Sequence, residues 1–172
     1  MIKKILVPVD GSPYSVKAVG LASDLASKYG AEVILLHVLL RGHMPEGLKK
    51  ALEIEVGKPK SSADNLVNMP MEIMARVGDK SNTQLSLDEL NFIGKYVLSN
   101  VATICQDKGV SKITKRVEEG GPAKIILKVA EDSEVDMIVM GNRGLSDLKG
   151  MLVGSVSHKV SHLAKCTCVS VR

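Results

Sequence analysis

The stretch from Val135 to Ser157, V-D-M-I-V-M-G-N-R-G-L-S-D-L-K-G-M-L-V-G-S-V-S, constrains this chain more than any other. Val135, Met137, Ile138, Val139 and Met140 form an apolar run of buried-strand length. A loop carrying Gly141, Gly144, Gly150 and Gly154 follows, and an amphipathic helix starts at Ser155. Strand, glycine-rich loop and helix start together suit a phosphate. Glycine lets the main chain approach an anion closely, and the first N–H groups of a helix point at it. Ser155 and Ser157 add hydroxyl donors, and Arg143 adds a planar cationic fork. A turn accounts for any one of these glycines alone, so the argument rests on their spacing. The Walker pattern G-x4-G-K-[ST] and the dinucleotide fingerprint G-x-G-x-x-G are both absent.

The rest of the chain alternates strand and helix signals. Ile2 to Val9 reads as a buried strand, Gly11 as a turn, and Ser12 as the cap of a helix with Pro13 at its first position. Ala18, Leu21, Ala22, Leu25 and Ala26 form that helix's inner stripe, and Lys28-Tyr29-Gly30 stops it. Glu32 to Leu39 is apolar almost throughout, which predicts a strand covered on both faces and a right-handed β-α-β unit. Ser86-Leu87-Asp88-Glu89 is a capping box, followed by a stripe of Leu90, Ile93, Val97, Val101 and Ile104. A weaker strand, Lys112 to Glu118, precedes a helix opened by Gly120-Gly121-Pro122. A helix over Ser155 to Ala164 and a last strand ending at Val171 close the chain. This pattern predicts an α/β domain with helices on both faces of a mainly parallel, Rossmann-like sheet.

Residues 41–84 break the alternation, with Pro45, Pro59 and Pro70 and a polar stretch K-P-K-S-S-A-D-N. A short helix from Glu46 to Val56 and an apolar patch of Met69, Met71, Ile73 and Met74 are expected there. Two readings stand: an excursion packed on the domain edge, or a flap that binds a partner. No linker separates two domains, so residues 1–172 are read as one domain with an insertion after the second strand.

Composition removes several function classes. Aromatics are 2% of the 172 residues, so the core is aliphatic and base stacking on single-stranded nucleic acid is disfavoured. A net charge of +4 without a dense basic run argues against nucleic acid or an anionic membrane as partner. The basic-then-apolar start is interrupted by Pro8 and Asp10, and no run reaches membrane-spanning length; the expectation is a cytoplasmic protein. Three cysteines do not suggest a disulfide framework.

Ligands of open parallel sheets bind beyond the carboxyl ends of the strands, where the strand order reverses. Asp10 and Gly141 both stand at such ends. If their strands are neighbours, one crevice gathers Asp10, Ser12 and the glycine loop. Asp10 there can accept hydrogen bonds from a ribose or base, or cap the helix at Ser12. His37 reads as a satisfied core histidine. His158 and His162 have a metal-compatible spacing but no third ligand, and Cys166 and Cys168 read as strand packing, so no metal site is expected. No catalytic residue is assigned, because Asp147 has no evident partner for activating water.

Several of these segments recur together. K-K-I-L-V-P-V-D-G-S, a second strand ending H-V, the loop G-x2-G-x9-G-S within M-G-N-R-G-L-S-D-L-K-G-M-L-V-G-S-V-S, and the terminal C-T-C-V-S-V-R resemble the universal stress protein family, ATP-binding type. The resemblance covers residues 1–40 and about 86–172. It implies an open five-stranded sheet of order 3-2-1-4-5 and an ATP or AMP (or ADP) site, any Mg or Mn being carried by the phosphates. By position, Pro8, Val9 and Asp10 would border adenine and ribose, and the backbone of Val38 would meet the adenine edge. Met140, Gly141, Arg143 and Gly144 would hold ribose and phosphates. Gly154, Ser155, Val156 and Ser157 would bind the phosphate tail. The resemblance also implies a homodimer through Thr167–Val171, although Thr167 stands where the family commonly has Pro, and the 41–84 insertion is longer than usual. The function expected is stress response through nucleotide occupancy, with at most slow hydrolysis. Alternatives are a nucleotide-independent interaction module, or an adenylyl-transferring enzyme of related fold, whose H-I-G-H or S-G-G-x-D-S signatures are absent.

Overall fold

The computed structural model describes residues 1–40, 86–145 and 154–172. Within them the order is β1 (Lys4–Pro8), α1 (Pro13–Tyr29), β2 (Glu32–Leu39), α2 (Leu87–Asp107), β3 (Ile113–Glu119), α3 (Pro122–Asp132), β4 (Met137–Gly141), α4 (Ser155–Leu163) and β5 (Thr167–Val171). The strands form one sheet in the order β3-β2-β1-β4-β5, and every pairing is parallel. The expected order 3-2-1-4-5 is thus the observed one. The helix expected at Glu46 to Val56, the methionine patch at 69–74 and Asp147 lie outside the described residues.

The central strands are apolar on both sides because helices cover both faces. Ile5, Val7, Val33 and Leu35 face α1 and α2, against Ala18, Val19, Ala22, Ile93, Val97 and Val101. Leu6, Ile34, Leu36, Ile138 and Met140 face α3 and α4, against Ile126, Val129 and Val160. Among the described residues no aromatic side chain is fully buried, as the composition implied. The alanines of α1 keep its axis close to the sheet, which matters below at Gly141.

Local signals set the helix ends. The Ser12 hydroxyl accepts from Ser15 N at 3.2 Å, with Pro13 in the first turn. Gly30 ends α1 with φ of 65° and donates to Ala26 O. At α2 the capping box is complete: Glu89 N donates to Ser86 Oγ and Ser86 N to Glu89 Oε2. The first strand, Lys4–Pro8, is shorter than the expected Ile2–Val9, and at its start the N–H groups of Lys3 and Lys4 donate to the Asp136 carboxylate, at 2.7 and 2.9 Å. These bonds hold the Asp136 carboxyl below its ordinary pKa.

Leu35 is fully buried in a central strand, between α1 and α2. Leu35→Ala should therefore cost about 2–5 kcal/mol, in the range of core truncations that leave a cavity. Urea denaturation followed by circular dichroism measures it, and a cost below about 1 kcal/mol would mean that the site collapses freely.

Candidate functional site

The chain leaves β1 for α1 on one face and leaves β4 toward α4 on the other. Since β1 and β4 are adjacent, the two departing loops open a crevice between them at the carboxyl end of the sheet. A cleft of about 210 Å³ lies there. Of the residues singled out from sequence, Pro8, Val9, Asp10, Val38, Met140, Gly141, Arg143, Gly144, Gly154, Ser155, Val156 and Ser157 all line it. Ser12 does not. It is buried at the start of α1, and its hydroxyl and carbonyl are taken up by Ser15.

One side of the cleft is built around Asp10. Gly11, with φ of 88°, turns the chain in a conformation that side chains disfavour, and brings Ser12 N to 2.9 Å from Asp10 Oδ1. Asp10 Oδ2 accepts from Leu145 N at 3.1 Å. The strand β4 comes so close to α1 that a Cβ on Gly141 would lie 2.7 Å from Tyr14 Cβ and 2.9 Å from Arg143 O. The absence of a side chain at Gly141 thus serves packing against α1, a role that the phosphate reading of the loop did not include.

The opposite side is organised by the Asn142 backbone. Its N–H donates to Val171 O at 2.8 Å, and its carbonyl accepts from Gly154 N at 2.8 Å and Ser157 Oγ at 2.7 Å. The Ser157 hydroxyl is therefore spent inward, where sequence suggested a ligand donor. The first bond of the α4 ladder runs from His158 N to Gly154 O, so the N–H groups of Ser155, Val156 and Ser157 lie outside that ladder. Gly154 supplies no side-chain cap to them. Three N–H groups and the positive end of a helix dipole therefore stand at one end of the cleft.

The other end belongs to β2. Val9 N donates to Leu36 O at 2.8 Å, and Gly120 N donates to Leu39 O at 3.0 Å. Strand alternation then directs the N–H and C=O of Val38 toward β1, past its last residue, Pro8. A donor and an acceptor on adjacent main-chain atoms face the cleft there. Leu36, Leu39, Leu40, Leu90, Ile93, Pro122 and Ile126 complete an apolar wall. In sequence Leu36 and Leu39 read as buried strand and Leu90 and Ile93 as the inner stripe of a helix, and nothing in their spacing separates the wall of a cleft from the interior of a fold.

His37 also lines the cleft while only 6% exposed. Its Nδ1 lies 2.7 Å from Val9 O, and a carbonyl only accepts, so Nδ1 carries the proton. The ring has room because α2 presents Gly94, where a Cβ would stand 3.0 Å from His37 Cδ2. His37 is thus the satisfied histidine that sequence suggested, with a position at the cleft that sequence did not show. His158 and His162 are exposed on α4, and among the described residues no three His, Cys, Asp or Glu side chains gather into a metal-binding group. Cys105, Cys166 and Cys168 are free thiols. No helix among the described residues is long and apolar enough to cross a membrane.

The sequence model of the universal stress protein family matches residues 1–172. The universal stress protein YxiE of Bacillus subtilis is 34% identical over 172 residues, covering all of both chains. This chain belongs to the universal stress protein family. The solved structure of hypothetical protein MJ0577, from Methanocaldococcus jannaschii, superposes with a TM-score of 0.69 at 26% identity, covering 99% of this chain and 96% of that one. A universal stress protein from Archaeoglobus fulgidus, solved in complex with dAMP, shares the fold at a TM-score of 0.62 and 19% identity, with both chains fully covered.

In this universal stress protein, burial holds the His37 pKa below its ordinary value of 6.5, against the opposing pull of the Val9 carbonyl and the Asp10 charge. The unfolded chain then takes up a proton more readily than the folded one. Stability from the neutral ring is complete above about pH 6.5 and declines as pH falls below it. Melting temperature should accordingly drop between about pH 7 and pH 5, and drop less in His37→Asn, whose amide can still donate to Val9 O. Equal slopes for the two proteins would show that the fold leaves the proton affinity of His37 unchanged.

Proposed function

We infer that this universal stress protein binds an adenine nucleotide, ATP, ADP or AMP, in the cleft beyond β1 and β4, and acts through its occupancy. The observation that carries the reading is the arrangement of three different recognition elements along one cleft. At one end the Val38 main chain offers the donor and acceptor that complement the edge of adenine, beside the apolar surface of Pro8, Val9, Met140 and Ile126. In the middle, the Asp10 carboxylate meets the hydroxyls of a ribose. At the far end the N–H groups of Ser155, Val156 and Ser157, with the Ser155 hydroxyl and Arg143, receive the phosphates. The dAMP bound to the Archaeoglobus fulgidus relative is a ligand of the same chemical class. Mg or Mn would arrive on the phosphates. Hydrolysis is at most slow in this reading, since neither Asp10, occupied by two backbone donors, nor buried His37 is placed as a base for water. The three free thiols suit a reducing compartment, and the cytoplasm is the proposed place of action.

Calorimetric titration with ATP tests this directly: saturable binding at or below millimolar concentration is expected, and its absence would sink the reading. Ser155→Asp is the discriminating variant. A carboxylate in the first turn favours the helix but opposes a phosphate, so affinity should fall by about tenfold or more, roughly 1.4 kcal/mol, without loss of melting temperature.

The proposal extends to a homodimer formed through Thr167–Val171. Among the described residues strand β5 pairs only with β4 and ends the sheet. Thr167 N donates to Asp136 O and Val171 O accepts from Asn142 N, so residues 167, 169 and 171 direct their main chain inward. Cys168 and Ser170 turn theirs to the open edge, where a second β5 can pair. Ser170→Pro removes one outward donor and spares the β4 ladder. It should convert a dimer to a monomer in sedimentation at micromolar concentration; a wild-type monomer there would refute the interface.

A further inference from the structure

Asp10 does more than face the cleft. Its two oxygens take backbone N–H groups from opposite sides of it, Ser12 at the start of α1 and Leu145 in the loop after β4, 135 positions away. Gly144 is shaped by the same contact. A Cβ placed there would lie 2.5 Å from Asp10 Oδ2, closer than side chains come to one another. A side chain at 144 would therefore have to push this carboxylate aside, whereas one at 141 would meet the main chain of Tyr14 and Arg143.

An ionised carboxylate offers about four lone-pair positions, and the loop and the α1 turn use two of them. A ribose hydroxyl reaching the cleft floor comes to the same group. An O–H donor to a carboxylate makes a shorter and stronger bond than the N–H contact at 3.1 Å from Leu145. We propose that Asp10 is the positioning residue of Gly144 and Leu145, where the chain leaves β4, and that ribose hydroxyls share Oδ2 with Leu145 N–H, so that nucleotide occupancy shifts Leu145 through one carboxylate. The anchoring of the loop stands on the geometry alone; its coupling to ligand rests on the nucleotide reading given above. The chemical class that can act on the loop is a nucleotide with free ribose hydroxyls.

Amide hydrogen exchange at Leu145 in the full chain, resolved by NMR, reads both halves. Without added nucleotide, Asp10→Ala and Gly144→Ala should each speed exchange at Leu145 by at least about tenfold, the factor that one hydrogen bond to a charged acceptor carries. The double variant should exchange no faster than either single one, since both remove the same bond. Retained protection in Asp10→Ala, or effects that multiply, would overturn the anchor. Should Asp10→Ala fail to fold, Asp10→Asn keeps the shape and one acceptor, and its Leu145 amide should lose protection in part; full protection there counts against the anchor equally. Saturating ATP should then change exchange at Leu145, whereas saturating 2′,3′-dideoxy-ATP should leave it unchanged. Equal responses would remove the coupling while the nucleotide reading stands. If neither compound binds, the nucleotide reading and the coupling fall together, and the anchor is still decided by the first arm.

Discussion

Burial of β1 and β4 on both faces governs everything else in this molecule. A strand without a wet face cannot carry a polar side chain along its length without a partner for it. Chemistry is therefore confined to the point where such strands end, and the two central strands end side by side. Asp10, Gly11 and the first turn of α1 leave one way; Gly141, Asn142 and α4 leave the other. The cleft is the gap that this divergence opens. Its polar groups are the ends of hydrogen-bonded elements that the core cannot use: the first N–H groups of α4, the main chain of Val38 beyond Pro8, and the Asp10 carboxylate.

The glycines at the cleft record packing before they record a ligand. Gly141 lies against Tyr14, Gly144 against the Asp10 carboxylate, and Gly154 within 3.3 Å of the Asn142 carbonyl when a Cβ is placed on it. Gly141 and Gly154 permit close approach to neighbouring main chain, and Gly144 permits close approach to a carboxylate. Gly141, Asn142 and Gly154, held in this way, set the direction in which the first N–H groups of α4 point, which is also what binding an anion requires. The two explanations of the glycine spacing are thus parts of one: the packing sets the geometry, and the geometry suits the phosphate.

Much of the fold was legible in the sequence because its determinants are local. The capping box at Ser86 and Glu89, Pro13 behind Ser12, and Gly30 at the end of α1 act within a few residues of themselves. The strand order came with the family resemblance, and the doubly apolar runs of β1 and β2 agreed with it. What escaped depends on which chain segments meet. Nothing near Lys3 shows that Asp136 will take its N–H, and nothing near His37 shows that Val9 O and Gly94 will receive its ring. Leu90 and Ile93 read as core, and they are core; only the ending of β1 below them makes the same surface a wall. Ser12 and Ser157 illustrate the converse. Ser12, expected at the crevice, only caps α1, and the Ser157 hydroxyl, which suggested a donor for a ligand, bonds the Asn142 carbonyl instead.

The turn of the Val38 main chain toward the cleft has a consequence for how such a site changes over generations. An edge made of N–H and C=O carries no side chain, so substitution at position 38 does not rewrite it. Any residue but proline, which lacks the N–H, presents the same two groups in the same place while the strand stays extended. Altering what that edge accepts requires a slip of the β2 register or a longer β1, and either would turn core residues of the sheet out of their layer. Selectivity located there is inherited with the fold itself. The residues free to diverge are those on the walls and at the α4 end of the cleft, where chains sharing this architecture can differ while the Val38 edge stays as it is.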